Sequence, residues 1–367
     1  MTDINKLFYE LIQVALGRIV CLSRTPSAAE WQDLYALAKK QSLVGVCFSG
    51  VQRLKAQQQE PPEMLYLTWM GLAAKIQQRN EVVNRQCVEL QERFVADGMM
   101  SCILKGQAVA TFYPPDLRSL RQSGDIDVWI KGSMDEVVRY ANSVVPSDEI
   151  NEQHVHFHVY DNTEVELHYV PAILHAPLAN RWLQKFFAEE AAACWDNVVS
   201  ISGGVEYLNT VTIRFNLVYL LAHMYRHLFG DGVGLRQLMD YYVVLMHAIQ
   251  NDKKDIMLRV ERTGMKSFAA AVMWIMQRVF GMATELMICE PDSNLGKFLL
   301  DEIAEAGNMG NHETRFAKGT NESHWHRFWR VNYKNVRLIR FSFSEVFWTP
   351  LWRIKNFIWR RWNGYKD

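Results

Sequence analysis

Apolar positions in the first ninety-odd residues recur at helical spacing. Leu7, Leu11, Val14 and Ala15 share one stripe, and Trp31, Leu34, Leu37 and Ala38 share another behind the cap-like Thr25-Pro26-Ser27. A third helix is predicted from about Pro62 to Asp97, with Pro61-Pro62 at its start, where a fixed backbone angle is tolerated, and Gly98 as its stop. Residues 1–95 therefore read as an all-helical region.

The period then changes. Ser101-Cys102-Ile103-Leu104 is short and apolar, and Asp125 to Ile130 alternates about a period of two, so both predict strands. Between them Gly106 to Tyr113 can form a short helix ended by Pro114-Pro115, and Ser133 caps a helix running to Val144. Val155 to Tyr160 and Glu164 to Val170 alternate on either side of the turn-forming Asp161-Asn162, which predicts a hairpin. If Val155, Phe157 and Val159 share the buried face with Val165, Leu167 and Tyr169, the loop must hold an odd number of residues, read here as Asp161, Asn162 and Thr163. That parity puts His154, His156 and His158 on the same sheet face as Glu164, Glu166 and His168.

Helical periodicity returns from about Val211 to Phe280, with Leu217, Leu220, Leu221 and Met224 on one stripe and a break at Gly230-Asp231-Gly232 before a second helix through Asp240. Residues 307–324 read as a loop. The expectation is an α+β fold: a small mixed β-sheet core over 96–208, a helical domain over 209–306, and a basic, tryptophan-rich region over 307–367, with no internal repeat.

Composition adds limits. At 49% hydrophobic and 22% charged, the 367-residue chain is globular in type and long enough for more than one packed unit. Lys+Arg and Asp+Glu both total 40, so no field over the whole molecule demands a polyanionic partner. The six cysteines include no Cys-x-x-Cys pair, against a zinc ribbon or disulfide scaffold, and a cytoplasmic location is expected. No signal peptide is read at the start, and the longest apolar stretch, Phe268 to Met276, falls short of the roughly 20 residues that span a bilayer.

Candidate chemistry centres on Asp125 and Asp127. Phosphoryl and nucleotidyl transfer call for divalent ions held close together, and carboxylates two apart on a strand project from one face while Ile126 and Val128 enter the core. Gly124 leaves room for backbone approach. Arg118 and Arg121 offer forked donors for phosphate, or salt bridges to nearby acids; Lys105-Gly106 stands at a strand-to-helix junction that can receive an anion, or Lys105 is a solvated strand end. Glu166 supplies a third carboxylate from the neighbouring strand, with Glu164 on the same face as the alternative.

These residues resemble a known group. Leu104-Lys105-Gly106, Tyr113-Pro114, Leu117-Arg118, Gly124-Asp125-Ile126-Asp127, Val165-Glu166-Leu167-His168 and Gly234-Leu235-Arg236-Gln237-Leu238-Met239-Asp240 look like the uncharacterised bacterial nucleotidyltransferase family of the polymerase-beta superfamily, over roughly residues 80 to 245. The resemblance implies a nucleotidyltransferase core that binds magnesium, two ions being expected, and a nucleoside triphosphate such as ATP, with Asp125, Asp127 and Glu166 as catalytic metal ligands. It implies nucleotide or phosphate contacts at Lys105, Gly106, Arg118, Arg121, Gly124 and Arg236, the last on a helix that closes over the substrate or serves packing. Superfamily members usually carry Gly-Ser where this chain reads Lys105-Gly106-Gln107. The junction and the arginine before the Asp pair are also similar to abortive-infection nucleotidyltransferase toxins, which adds RNA to the candidate acceptors. The competing reading is a non-catalytic binding or assembly protein on a degenerate transferase fold.

The histidine row, His158 and His168 in particular, can orient substrate or move protons, or can simply face solvent. His223 and His227 lie four apart on one helical face but lack the glutamate of a His-Glu-x-x-His metalloprotease helix. In the tail, residues 321–367 hold ten Lys or Arg against three Asp or Glu, interleaved with Trp325, Trp329, Trp348, Trp352, Trp359 and Trp362. This composition suits RNA stacking, an anionic membrane surface, or helices packed by their tryptophans with basic residues in water.

Overall fold

In the computed structural model, which describes residues 3–201, 206–313, 315 and 323–365, the chain opens with helices α1 (Asp3–Ala15), α2 (Ala28–Lys40), α3 (Val44–Leu54) and the long α4 (Glu63–Ala96). The local reasons match the sequence. Ser27 and Glu30 form a reciprocal capping box at the start of α2, and Gly98, at φ +73°, ends the chain's run through α4 in a conformation that favours glycine. The Leu7, Leu11, Val14 and Ala15 stripe is buried, as are Trp31, Leu34 and Ala38.

The sheet follows: β1 (Ser101–Leu104), α5 (Gly106–Ala110), α6 (Pro115–Arg118), β2 (Ile126–Ile130), α7 (Met134–Val144), β3 (His154–His156) and β4 (Val165–His168). Strand order is β1-β2-β4-β3, with β2 and β4 parallel and both edge pairings antiparallel. The fold is α+β with a small mixed sheet among helices. Ser133 and Glu136 cap α7 as a box. The expected helix from Gly106 to Tyr113 stops at Ala110, and the prolines meant only to end it also open α6, since proline's fixed φ suits a first helical position.

The hairpin keeps its predicted faces but not its predicted turn. Val155 faces Leu167 and His156 faces Glu166, and Phe157 N–H donates to Val165 O, so the loop runs from residue 158 to 164, seven residues in place of three. Both numbers are odd, so side-chain parity survives while the register moves by two. Val159, placed with the buried set by the alternation, lies off the strand and is only half-buried.

After the sheet come α8 (Pro177–Trp195), the two-stranded ribbon β5 (Val198–Ser200) and β6 (Tyr207–Asn209), and helices α9 (Ile213–Phe229), α10 (Leu235–Met246), α11 (Gln250–Arg262), α12 (Lys266–Phe280) and α13 (Ser293–Ala306). Of the predicted 307–324 loop, residues 314 and 316–322 lie outside the described residues, and a short turn covers Asn308–Gly310. One apolar cluster joins α1–α3 to α8–α13 and takes in Cys102 and Leu104 from β1; a second lies between the sheet, α4 and α7. The sheet is thus wedged between two cores, and its polar face, with Glu166 and His168, looks onto α9 and α10 across a cleft.

The tail forms α14 (His324–Val336) and α15 (Phe343–Asn363). Tryptophans pack the tail only in part: Trp359 lies half-buried against the second core and Trp352 against His175, whereas Trp325, Trp329 and Trp362 are 64%, 55% and 87% exposed. The most buried positions of α15 are polar, Glu345 and Thr349, because Glu345 accepts the backbone N–H groups of His175 and Ala176 at 2.7 and 3.1 Å, while Val346 and Trp359 pack half-buried on the two cores. No helix among the described residues is long and apolar enough to cross a membrane.

Candidate active site

Strand register assembles the carboxylates. In the parallel β2/β4 ladder Asp127 stands directly opposite Glu166, and Asp125 precedes β2 by one residue. Oxygens of Asp125, Asp127 and Glu166 lie within 4.8 Å of one another. Ile126 and Val128, on the other face, are buried in the core beneath, as period-two alternation requires. Glu164 is exposed ahead of β4 and has no part in the cluster.

Cations meet these carboxylates. Lys105 Nζ lies 2.9 Å from Asp127 Oδ2, and His168 Nε2 donates to Asp127 Oδ1 at 2.9 Å and to Glu166 Oε2 at 3.2 Å. Burial opposes ionisation of Asp127, which is 1% exposed, yet the Lys105 ammonium and the His168 hydrogen bond outweigh it and hold its pKa below the ordinary value. For Glu166 the same contest, burial against the His168 hydrogen bond, also ends low. His168 is disfavoured as a cation by burial, but its bonds to Asp127 and Glu166 push it up to about 9.

Both nitrogens of His168 are engaged. Nε2 serves the carboxylates, and Nδ1 faces Gln153 Nε2 at 3.1 Å. Its place is to position Asp127 and Glu166 rather than to stand free as a base. His154 Nδ1 approaches Glu166 Oε2 at 3.2 Å, and burial drives its pKa well below the usual value, so it is neutral at pH 7. His158, at the far end of the row, turns instead toward Glu149 at 3.5 Å and lines no part of the cleft.

The junction at Lys105-Gly106 is built for delivery of the ammonium. Lys105 and Gly106 both adopt positive φ, +48° and +43°. For lysine that conformation costs on the order of 1–3 kcal/mol, and the ion pair with Asp127 fixes it. Glycine at 106 serves the backbone angle and not space, since a Cβ there would meet nothing closer than Asp125 O at 3.7 Å. At five residues, α5 offers little helix dipole to an anion.

Above the carboxylates a cleft of about 370 Å³ is lined by Lys105, Gly106, Gly124, Asp125, Glu166 and His168 on the sheet side and by His223, Arg226, His227 and Arg236 from α9 and α10. Trp352 of α15 and His175 close a third wall. Arg226 and Trp352 carried no distinct signal in the sequence; the His223/His227 spacing marked the right face of α9, read only as a metalloprotease helix that failed. Lys105 Nζ also sits 3.5 Å from His223 Nε2, and burial followed by the Lys105 charge keeps His223 neutral.

The arginines divide. Arg121, at the cleft floor, is locked to Asp240 by two bonds of 2.7 Å, and its Nη1 is buried with no hydrogen-bond partner. Arg236 Nη1 donates to Gln122 O at 2.9 Å beside Gly124, leaving its Nε likewise without a partner. Arg118 is not brought into the cleft: its Nε donates to Tyr113 O at 3.1 Å, and it lines a separate cavity of about 340 Å³ with Pro114, Phe112 and Tyr242.

The donor chemistry suits a hard divalent cation, because three carboxylates converge from one sheet face and oxygen ligands are what magnesium takes. His154, Glu166 and His168 also have ligand atoms within 4.8 Å, but the Nε2 proton of His168 is committed to Asp127. A family model described as uncharacterised nucleotidyltransferase matches residues 27–281 of the chain, so the likeness takes in α2 to α4 as well as the motif-bearing sheet. No curated protein matches.

Proposed function

Because the chain belongs to the family of uncharacterised nucleotidyltransferases, we propose that it moves a nucleotidyl group from a nucleoside triphosphate to a hydroxyl acceptor, with Asp125, Asp127 and Glu166 holding two magnesium ions. The observation that carries this reading is the convergence of those carboxylates at the parallel β2/β4 pair, with Asp125 and Glu166 lining a cation-walled cleft and Asp127 buried beneath it. When bound, magnesium would supply charge neutralisation and activation of the attacking oxygen.

The chain's own residues do the rest. The acceptor oxygen bonds to the α-phosphorus, the bond from that phosphorus to the bridging oxygen breaks, pyrophosphate leaves, and the hydroxyl proton passes to solvent water. Lys105, Arg226 and Arg236 face the space a triphosphate would take, and Arg121 Nη1 and Arg236 Nε are buried donors awaiting an acceptor. His168, together with Lys105, keeps Asp127 and Glu166 ionised and oriented. RNA is one candidate hydroxyl acceptor.

A second reading has one observation of its own. Both oxygens of Asp127 are already engaged, by Lys105 and His168, and this is the state expected of a site that binds without catalysing. Incubating the purified protein with labelled triphosphates, magnesium and a cell extract decides between them. Transfer of label that Asp127→Asn abolishes supports the transferase; label that survives Asp127→Asn overturns the site, and triphosphate binding with no transfer favours the binding protein.

A further inference from the structure

The last helix is inside out. On a helical wheel of about 3.6 residues per turn, Glu345, Thr349, Trp352 and Asn356 share the face of α15 that lies on the protein, while Phe343, Phe347, Leu351, Ile354, Ile358 and Trp362 share the opposite one. Those six are exposed by 46% at Leu351 and Ile354 up to 87% at Trp362. A helix that serves only the fold turns its apolar stripe inward. This one spends its inner face on polar bonds: Glu345 to the backbone of His175 and Ala176, Thr349 Oγ1 to His175 Nδ1 at 2.8 Å, and Trp352 Nε1 to Glu152 Oε2 at 2.9 Å. Among the described residues nothing covers this stripe, which runs the length of the 21-residue helix.

We propose that the outer face of α15 docks the protein on an anionic lipid bilayer, lying in the plane of the interface. Charge selects this occupant. Lys355 and Arg361, both exposed, fall on the two margins of the stripe; Lys355 also reaches the mostly buried Glu152 at 3.7 Å, and the one carboxylate of the helix, Glu345, is buried on the other side. Apolar residues flanked by cations with no exposed acid match a surface of acyl chains under anionic headgroups. A second copy of the chain would set the Arg361 margin against cations with no exposed carboxylate on either α15 to meet them, Lys355 being paired already with Glu152. RNA finds few partners, because Leu351, Ile354 and Ile358 have no π face on which a base can stack.

Neighbouring α14, which packs against α15, adds exposed Trp325, Trp329 and Val336 at helical spacing. Neither helix can span the bilayer. Because Trp352 on the inner face lines the cleft, docking through the outer face puts the cleft beside the membrane surface.

The test is sedimentation of the full-length protein with phosphatidylcholine vesicles, with and without phosphatidylglycerol. Wild type should pellet with the anionic vesicles and release as salt rises. Ile354→Ser, Ile358→Ser and Trp362→Ser together should weaken that binding by at least about tenfold. Lys355→Glu with Arg361→Glu, which leaves the apolar stripe whole, should remove the preference for anionic over neutral vesicles. Wild type that stays in the supernatant with anionic vesicles overturns the proposal. So does self-association or RNA binding, lost in the triple variant, in a protein that ignores vesicles.

Discussion

Arg121 and Asp240, 119 residues apart, meet in a forked pair, Nε to Oδ1 and Nη2 to Oδ2 both at 2.7 Å, with 4% and 8% of their side chains exposed. The pair joins the segment before β2 to α10 and so sets the height of the cleft between the sheet and the helices. Tyr113 also donates to Asp240 Oδ1 at 2.7 Å, which closes the cluster.

Asp240→Ala should therefore destabilise the protein by about 3–5 kcal/mol, since it leaves a guanidinium and a phenol buried without their acceptor. Arg121→Met with Asp240→Leu and Tyr113→Phe should recover most of that loss, because well-packed apolar groups replace the charges together. Denaturant midpoints for the single and the combined variants measure both, and equal losses would mean the pair's charge is not what matters.

Lys105 occupies an oxygen of Asp127 that a divalent cation would need. Lys105→Met is expected to tighten manganese or magnesium binding by about threefold or more while weakening triphosphate binding, two effects of opposite sign read by calorimetry. Metal affinity that falls would show the lysine to be an organiser of the carboxylates and not their competitor.

Glu166 and Glu164 lie on one sheet face by parity, but only Glu166 reaches the cluster. Glu166→Gln should lower nucleotidyl transfer by about a thousandfold, roughly the several kcal/mol at stake in one metal ligand, and Glu164→Gln should leave it within about twofold. Steady-state rates on the two variants check this directly.

His175 anchors α15 beside Glu345, Arg226 and Arg353, and burial followed by those arginines depresses its pKa well below the usual value. The unfolded chain, titrating near about 6.5, then binds a proton that the folded state refuses. Stability is thus fully present above that pH and lost as pH falls below it, by up to about 1.4 kcal/mol per unit. Glu345, raised by burial, acts with the opposite sign and offsets part of the loss closer to the carboxylate range. His175→Asn, which keeps a partner for Thr349, should flatten the slope of stability between pH 6.5 and 5; an unchanged slope would assign it to other groups.

Much of the site was legible because it is local. Alternation alone put Asp125 and Asp127 on one face, and hairpin parity put Glu166 with them even though the turn was misjudged, since a register error of two residues preserves every face. The motif at Gly234 to Asp240 pointed to the right helix, on which Arg236 lines the cleft while Asp240 takes the structural role of pairing with Arg121.

What the sequence by itself determined, then, is the set of elements whose signals are periodic and near in the chain: the helical stripes, the strand faces, the caps at Ser27 and Ser133, and the carboxylate cluster. Only the tertiary structure decided which distant charge each functional group meets. It tied Arg121 to Asp240, turned Arg118 into another cavity, set Lys105 and His168 on Asp127, and stood Trp352 at the cleft. It also inverted the tail, where a polar stripe satisfied by buried hydrogen bonds won the inner face from an apolar one. Periodicity tells which residues share a face; it carries no information on which of two faces has partners, because those come from other segments, in the tail's case from His175 and Ala176, 170 and 169 residues from Glu345.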